Sequence, residues 1–103
     1  MADNLNNLQA DLFKAIAHPT RIAILHFLRD GERCVCEIFP ALEIEQPNLS
    51  RHLSILKNAG ILSSRKDGLK VIYRVDNPQI FELLDLTTRV LKDHWSKREK
   101  ILL

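Results

Sequence analysis

The stretch EIEQPNLSRHLSILKNAG, residues 43–60, carries the pattern that decides the fold. Pro47 suits the first turn of a helix, and the closing glycine is typical of a helix end. Leu49, Leu53 and Leu56 recur at helical spacing and predict a stripe that is buried against a core. Most of the residues between them are polar, so the other side of this helix is predicted to face solvent.

A shorter helix is predicted immediately upstream, over about residues 34–42. Pro40 weakens this helix, because proline has no N–H to bond to the carbonyl of Cys36. Two short helices joined by the turn EIEQ form a helix-turn-helix. In DNA-binding proteins of this type the second helix enters the major groove.

Apolar residues at helical spacing predict further helices over about residues 5–17, 19–30 and 79–99. The segment ILSSRKDGLKVIYRV predicts a β-hairpin, because Asp67-Gly68 is a favoured two-residue turn. Together these elements predict a mainly α protein with a small β-hairpin (α+β), arranged as a winged helix-turn-helix. A length of 103 residues allows one hydrophobic core, so residues 1–103 are predicted to form a single DNA-binding and dimerisation domain.

Charge is concentrated in the middle of the chain. Residues 46–75 carry a net charge of +5, whereas the whole chain carries only +2. A basic block in a nearly neutral protein is typical of a surface that binds a polyanion, although a solvated surface without a partner has the same composition. The bases of this block are Arg51, Lys57, Arg65, Lys66, Lys70 and Arg74.

The helix and the hairpin are predicted to contact double-stranded operator DNA in different ways. Outward residues of the helix would read bases or nearby phosphates, and the basic residues of the hairpin would meet phosphates. A period-two count through the hairpin predicts that Ser64, Lys66, Lys70 and Arg74 share one face. The predicted DNA-binding residues are Gln46, Asn48, Ser50, Arg51, His52, Arg65, Lys66, Lys70 and Arg74.

The first and last helices carry more apolar residues than a small domain can bury by itself, among them Leu5, Leu8, Leu83, Val90 and Trp95. A homodimer is predicted to cover them, which would also place two recognition helices about one DNA turn apart. No apolar run is long enough to cross a membrane, and the start of the chain does not resemble a signal peptide. The protein is predicted to be cytoplasmic and to have no membrane partner.

The only two cysteines, Cys34 and Cys36, form a Cys-x-Cys pair. Cytosolic thiols stay reduced, and cysteines this close make a poor structural disulfide. Thiolates are soft ligands for thiophilic ions, whereas a structural zinc site needs four ligands. Residues i and i+2 of a regular helix point about 200° apart, so the first helical turn is expected to unwind before both sulfurs meet one ion. His18, His26 and His94 are predicted to be structural.

Four segments of the sequence together resemble the ArsR/SmtB family of metal(loid)-responsive winged-helix repressors: HPTRIAIL, ERCVCEI, QPNLSRHLSILKNAGIL and KVIYRV. The resemblance extends over about residues 8–95, and RCVCE resembles the arsenic-responsive branch. It implies a dimeric repressor that leaves its operator when trivalent arsenic or antimony binds Cys34 and Cys36. Other thiophilic ions fit the same ligands, and no organic cofactor is expected.

The sequence departs from this family in two places. Arsenic-branch members often have a third cysteine where this chain has Phe39, so the third ligand stays open between water, hydroxide and a small thiol. Zinc-type members carry an acid and histidines on the last helix. Asp85, Asp93 and His94 do not reproduce that spacing, and we predict no zinc site there.

Two other functions fit the same residues. The runner-up is a repressor whose cysteines respond to oxidants or reactive sulfur species, although two thiols at i and i+2 of one helix would form a strained disulfide. The third possibility is a constitutive DNA-binding protein in which the cysteines are inert. No phosphate-binding loop, nucleophile elbow or zinc-hydrolase motif is present in the sequence, so the protein is not predicted to be an enzyme.

Overall fold

The computed structural model describes the backbone of residues 2–98 and the side chains of residues 4–95. In this part of the chain the helices and strands follow the predicted order, with one additional short strand. The helices are α1 (Ala2–Ile16), α2 (Pro19–Phe27), α3 (Val35–Leu42), α4 (Gln46–Asn58) and α5 (Gln79–Arg98). The strands are β1 (Arg33–Cys34), β2 (Leu62–Asp67) and β3 (Lys70–Val75). A winged helix-turn-helix is therefore confirmed.

The start of α2 shows how the sequence sets a helix boundary. His18 has extended backbone angles, and its Nδ1 accepts a hydrogen bond of 3.0 Å from the backbone N–H of Thr20. Pro19 occupies the first turn, where its missing N–H costs nothing. The expectation that His18 has a structural role is confirmed for its capping of α2.

The core holds the recognition helix α4 against α2 and α3. Leu49, Leu53 and Leu56 are buried as predicted. They pack in one cluster with Ile24 and Leu25 of α2, and with residues of α3, β2 and α5. Burying an aliphatic side chain of this size contributes roughly 1.5–3 kcal/mol to stability. The position of α4 is therefore fixed by its apolar stripe, and its polar residues are presented outward.

The β-structure is a three-stranded sheet in the order β1-β3-β2, rather than an isolated hairpin. The wing is the hairpin formed by β2 and β3. Arg33 pairs with Tyr73 and Cys34 pairs with Ile72, so β1, which contains Cys34, is an edge strand beside the wing. The sequence did not predict β1, because a strand of two residues is too short to show alternation. Cys34, Ile72 and Arg65 lie side by side across the sheet.

The pairing of β2 with β3 corrects the predicted grouping of the basic residues. Asp67 pairs directly with Lys70, so even-numbered residues of β2 share a face with odd-numbered residues of β3. Lys66 lies opposite Val71, on the face away from Lys70 and Arg74. The prediction that these three bases share one face is therefore wrong, because the two-residue turn reverses the count.

Apolar side chains remain exposed on α1 and α5. The exposed fractions are 56% for Leu5, 59% for Leu8 and 59% for Val90, as predicted, and Leu86 and Leu91 extend this surface along α5. Leu83 is half-buried against the core. Several large apolar side chains exposed on a small protein are typical of an interaction site. None of the helices within residues 2–98 is both long and apolar enough to cross a membrane.

Candidate DNA-reading surface and cysteine pair

The exposed side of α4 begins at the N-terminus of the helix. Gln46, Asn48, Ser50 and Arg51 are exposed, as predicted. The guanidinium of Arg51 donates a hydrogen bond of 3.3 Å to Oδ1 of Asn48, so these two side chains are oriented together. Amide, hydroxyl and guanidinium groups at the start of a recognition helix are suited to reading base edges in the major groove.

His52 does not face outward, and this prediction is wrong. Its side chain is only 5% exposed, and its ring lies 4.5 Å from the ring of His18. Nη1 of Arg21 lies 3.1 Å from Nδ1 of His52. Arginine is only a donor, so Nδ1 must accept and the imidazole must be neutral in this arrangement. The turn of the helix places His52 beside Leu49 and Leu53 on the buried side, toward α2.

Acidification should weaken the fold through this histidine. Burial lowers the pKa of His52 below its ordinary value of 6.5, and the nearby His18, Arg21 and Arg51 lower it further. The unfolded chain then binds more protons than the folded chain below about pH 6.5, so stability falls as pH falls through this window. We expect a slope of at most about 1.4 kcal/mol per pH unit from one group. His52→Gln should flatten the profile in urea unfolding measured between about pH 7 and 5; an unchanged profile would contradict this assignment.

The basic residues of the wing differ in their partners. Arg65 is paired with Glu32 at 2.6 Å, and Nε of Arg74 lies 3.4 Å from Asp76. Lys66 and Lys70 are exposed, and neither forms an ion pair with any residue of the described part of the chain. The two lysines are therefore available to phosphates, whereas the two arginines must first leave a carboxylate.

Glu32 was not predicted as part of this surface. Its hydrogen bond with Arg65 lowers the pKa of its carboxyl group and raises the pKa of the guanidinium. Glu32 stands next to β1, and Arg65 lies on the far strand of the same sheet. Charge counting along the sequence cannot find this pair, because its members are 33 residues apart and meet only across the sheet.

Removing the Glu32 carboxylate should strengthen DNA binding. Glu32→Gln releases Arg65 for a phosphate, so we expect an affinity gain of a few-fold and a salt slope steeper by about one unit per subunit. Fluorescence anisotropy with a DNA duplex at several salt concentrations measures both. Asp30→Asn removes the same charge from a carboxylate outside this ion pair and serves as the control. Equal gains in the two variants would show a general charge effect.

Cys34 lies at the N-cap of α3, outside the helix, with extended backbone angles (φ −70°, ψ 146°). Its Sγ accepts a hydrogen bond of 3.0 Å from the N–H of Cys36, and its own N–H donates to Oε1 of Glu37 at 2.9 Å. This reciprocal arrangement is a capping box, which satisfies donors that have no partner within the helix. The sulfur of Cys34 is thereby held at the N-terminal end of α3.

The two cysteines are joined by a disulfide bond, and their Cα atoms lie 5.0 Å apart. The prediction that the sulfurs meet only when the helix unwinds is therefore wrong. The reason is the extended conformation of Cys34, which brings its sulfur toward that of Cys36 without any change in α3. A Cα separation of roughly 4.4–6.8 Å is usual for a disulfide.

A cavity of about 310 Å³ is lined both by the cysteine pair and by residues that are predicted to read DNA. Its lining includes Cys34, Cys36 and Phe39 on one side, Gln46 and Ser50 at the start of α4, and Lys70 of β3. Cys34 is buried, with 6% of its surface exposed, whereas Cys36 is exposed. A ligand at the cysteines would therefore lie in a cavity that is lined by α3, by the start of α4 and by β3.

The fold and the helix-turn-helix agree with a known family. The model for bacterial regulatory proteins of the arsR family matches residues 18–64, which contain α2, α3 and α4. The uncharacterised HTH-type transcriptional regulator Rv0081 of Mycobacterium tuberculosis is 38% identical over 102 residues, covering 98% of this chain and 90% of its own length. The chain belongs to the ArsR family of bacterial regulatory proteins.

Other ArsR-family relatives and solved structures extend the comparison. The crystal structure of Rv0081 has a TM-score of 0.83 and 40% identity, and covers 91% of this chain and 95% of its own. The homodimeric winged helix-turn-helix DNA-binding domain Mb0332 of Mycobacterium bovis has a TM-score of 0.82 and 28% identity, covering 98% and 94%. The arsenic resistance transcriptional regulator ArsR1 of Pseudomonas putida is 42% identical over 83 residues, which cover 80% of this chain and 64% of ArsR1. This ArsR-family chain is a transcriptional repressor with a DNA-binding fold.

Within the described part of the chain, the candidate ligands for a thiophilic ion are the two cysteines. No group of three or more histidine, cysteine, aspartate or glutamate side chains suited to a metal ion occurs in the described part of the chain. Phe39, which stands where a third cysteine was expected from the resemblance, lines the same cavity as Cys34 and Cys36. Two soft donors suit a thiophilic ion, but a further ligand is needed.

Proposed function

We propose that this ArsR-family repressor binds operator DNA as a homodimer and dissociates when trivalent arsenic or antimony binds the reduced thiols of Cys34 and Cys36. The protein acts without catalysis, in the cytoplasm. The observation that carries the proposal is the convergence of both sulfurs on a cavity that reaches Gln46 and Ser50 of the recognition helix.

The DNA-binding residues are proposed from exposure and charge. Gln46, Asn48, Ser50 and Arg51 present polar groups at the start of α4, and Lys66 and Lys70 supply cations on the wing. Arg65 and Arg74 also belong to the surface, although each is engaged with a carboxylate in the absence of DNA. Polar groups at the helix and cations at the wing match the division between base reading and phosphate contact.

The homodimer is proposed to form through α1 and α5. Leu5, Leu8, Val90 and Leu91 are exposed on these helices, and their burial would remove a large apolar surface from water. The similar structure of Mb0332 is homodimeric, which supports a homodimer, and the exposed apolar residues are the reason for choosing α1 and α5. A symmetric dimer repeats the same surface on both subunits, so its recognition helices would meet two similar half-sites.

The choice of a metalloid as the inducer rests on the donor atoms. Two cysteine sulfurs select thiophilic ions, and they approach one another without any rearrangement of α3. The name of the arsenic resistance regulator of Pseudomonas putida supports arsenic among such ions. Antimony, cadmium, lead and monovalent copper are alternatives of similar softness.

The signal from the cysteines has two short routes to DNA. Cys34 is paired with Ile72 of β3, so a change at the cysteine is transmitted to the wing through the sheet. A ligand in the cavity would also lie beside Gln46 and Ser50. Allosteric release requires that the inducer bind one state better than the other. A ligand-bound pair that displaces β1 from β3 meets this requirement.

A second candidate is a repressor that responds to oxidants or reactive sulfur species, and the disulfide favours it. The two sulfurs approach each other to form a Cys34–Cys36 disulfide while Cys34 stays at the N-cap of α3, so a closed pair is compatible with the fold. In this function an oxidant would take two electrons and two protons from the thiols and form the disulfide. That oxidation, and not ion binding, would be the signal. The two candidates use the same cysteines and differ in the chemical species that they detect.

An operator-release assay separates the candidates. The reduced protein bound to an operator fragment is titrated with arsenite, antimonite, cadmium, lead, zinc, peroxide and polysulfide. Release by arsenite or antimonite at lower concentrations than the other species supports the proposed function. Release only by peroxide or polysulfide, with a disulfide or persulfide detected by mass spectrometry, would establish the second candidate. DNA binding that no species alters would rule out both.

A further inference from the structure

The cysteine pair leaves one coordination position of the proposed inducer unfilled. Trivalent arsenic takes three ligands, and within the described residues no histidine, carboxylate or further cysteine joins the two sulfurs in a metal-binding group. The nearest carboxylate in sequence, Glu37, is engaged by the N–H of Cys34 at 2.9 Å. The remaining ligand must therefore come from water, from a hydroxyl group of the chain, or from another molecule.

We propose that the cavity beside the pair binds an anionic low-molecular-weight thiol, whose sulfur is the remaining ligand and whose carboxylate meets Lys70. This inference rests on the proposed function. The cavity has a volume of about 310 Å³, which lies at the lower end of the range of roughly 300–1,000 Å³ that is usual for small-molecule sites. Such a volume is far larger than a single water or hydroxide needs, at about 30 Å³ each.

The lining of the cavity selects the class of thiol. Lys70 is the one charged residue among the described residues that line it, and it forms no ion pair there. Phe39 and Leu53 supply apolar contacts for a short carbon chain, and Gln46 and Ser50 supply hydrogen-bonding groups. The cavity is lined by the sulfurs of Cys34 and Cys36 and by the ammonium group of Lys70. A small thiol that also carries a carboxylate has a group to match each of these.

The binding step involves no oxidation. For each As–S bond that forms, one As–OH bond of arsenous acid breaks, and the hydroxyl leaves as water with the proton of the thiol. Arsenic therefore stays trivalent, and the chain's sulfurs stay in the thiol oxidation state. Softness of the sulfur favours a thiol over water or a hydroxyl of Ser50 or Tyr73 as the remaining ligand.

The proposed thiol would also affect DNA binding directly. Its carboxylate would neutralise Lys70, which is one of the two wing lysines available to phosphates. Its body would lie beside Gln46 and Ser50, at the start of the recognition helix. The external thiol therefore acts as a co-inducer, because it removes a phosphate contact and occupies space next to the base-reading residues.

The test compares three small thiols that differ in charge. The reduced chain receives arsenite together with 3-mercaptopropionate, 2-mercaptoethanol or cysteamine at equal concentrations. Native mass spectrometry reports whether the complex contains arsenic alone or arsenic with the thiol, and calorimetry reports the arsenite affinity. We expect a ternary complex with 3-mercaptopropionate, and an affinity roughly three- to tenfold higher than with cysteamine. Lys70→Gln should remove this preference, whereas Lys66→Gln, a lysine on the other face of the hairpin, should keep it.

The outcomes separate the inference from the proposed function. Arsenic bound to the chain without a thiol, at an affinity that no thiol changes, would overturn the inference and leave the proposed function intact. A ternary complex with no preference for the anionic thiol would also overturn it, because Lys70 would then have no role. No arsenic bound under any condition would overturn the proposed function itself.

Discussion

Replacing Cys36 with serine should leave the operator affinity of the reduced protein unchanged and abolish its release by arsenite. In the wild type we expect arsenite to lower operator affinity by roughly 5- to 150-fold, the usual range for an allosteric coupling. Serine lacks the soft donor atom, so the inducer loses one of its two protein ligands. Cys34→Ser should give the same result, because serine is a good N-cap and would keep the start of α3 in place. Anisotropy titrations with arsenite measure both variants.

A gain-of-function variant complements these losses. Phe39 lines the cavity together with both cysteines and lies one helical turn after Cys36, so Phe39→Cys would supply a third sulfur from the chain. We expect tighter arsenite binding that no longer depends on an added thiol. Phe39→Leu is the control for the lost aromatic ring.

The serine variants provide the result that would refute the paired-thiol model. That result is release of operator from Cys34→Ser or Cys36→Ser at the arsenite concentration that releases the wild type.

The sequence was sufficient for the elements that have strong local patterns. The recognition helix was predicted from its leucine stripe and its flanking proline and glycine, and these residues act as expected in the structure. The hairpin was predicted from Asp67-Gly68, but its two-residue turn lies one residue later, at Gly68-Leu69, because Asp67 ends β2 and pairs with Lys70. Gly68 adopts a positive φ of 64° at the first position of this turn, which favours glycine. In both cases the deciding information lies within a few neighbouring residues.

Features that depend on contacts distant in sequence were not predictable in the same way. The pairing of Cys34 with Ile72 makes the cysteine segment part of the wing sheet, and no local pattern indicates it. His52 was assigned to the solvent side, although its position in the helix places it next to the leucine stripe, and a histidine gives no clear signal of burial. Its partner Arg21 lies 31 residues away, on another helix.

The largest difference concerns how the cysteine pair is connected to the proposed DNA-binding surface. A helix drawn from Cys34 onward requires bending of that helix to bring the sulfurs together. The structure begins α3 one residue later, at Val35, and leaves Cys34 extended on an edge strand. Because of this one-residue difference, Cys34 is connected to the wing through the pairing of β1 with β3, and no bending of α3 is needed. Helix boundaries are the least certain part of sequence-based reasoning, and here the boundary decides which route from the cysteines to DNA is proposed.

The recognition helix and the wing should lose function differently when their DNA-facing residues are replaced. Ser50→Ala should lower the preference for operator over random DNA by about 1 kcal/mol for each subunit, because a hydroxyl group can make one base contact whose loss removes discrimination. Binding to random DNA should change little. Ser54→Ala, one turn further along α4, is the matched control, since residues at the start of a recognition helix make most base contacts.

Lys66→Ala should instead weaken binding to operator and random DNA alike, and reduce the salt slope by about one unit per subunit. Lys66 is exposed on the wing and forms no ion pair with the described residues, so its charge is fully available to a phosphate. Lys14→Ala on α1 removes the same charge from a surface away from the wing. Competition binding at several salt concentrations distinguishes the two elements. Loss of operator preference in Lys66→Ala, with only general weakening in Ser50→Ala, would mean that the wing reads sequence and the helix only anchors the backbone.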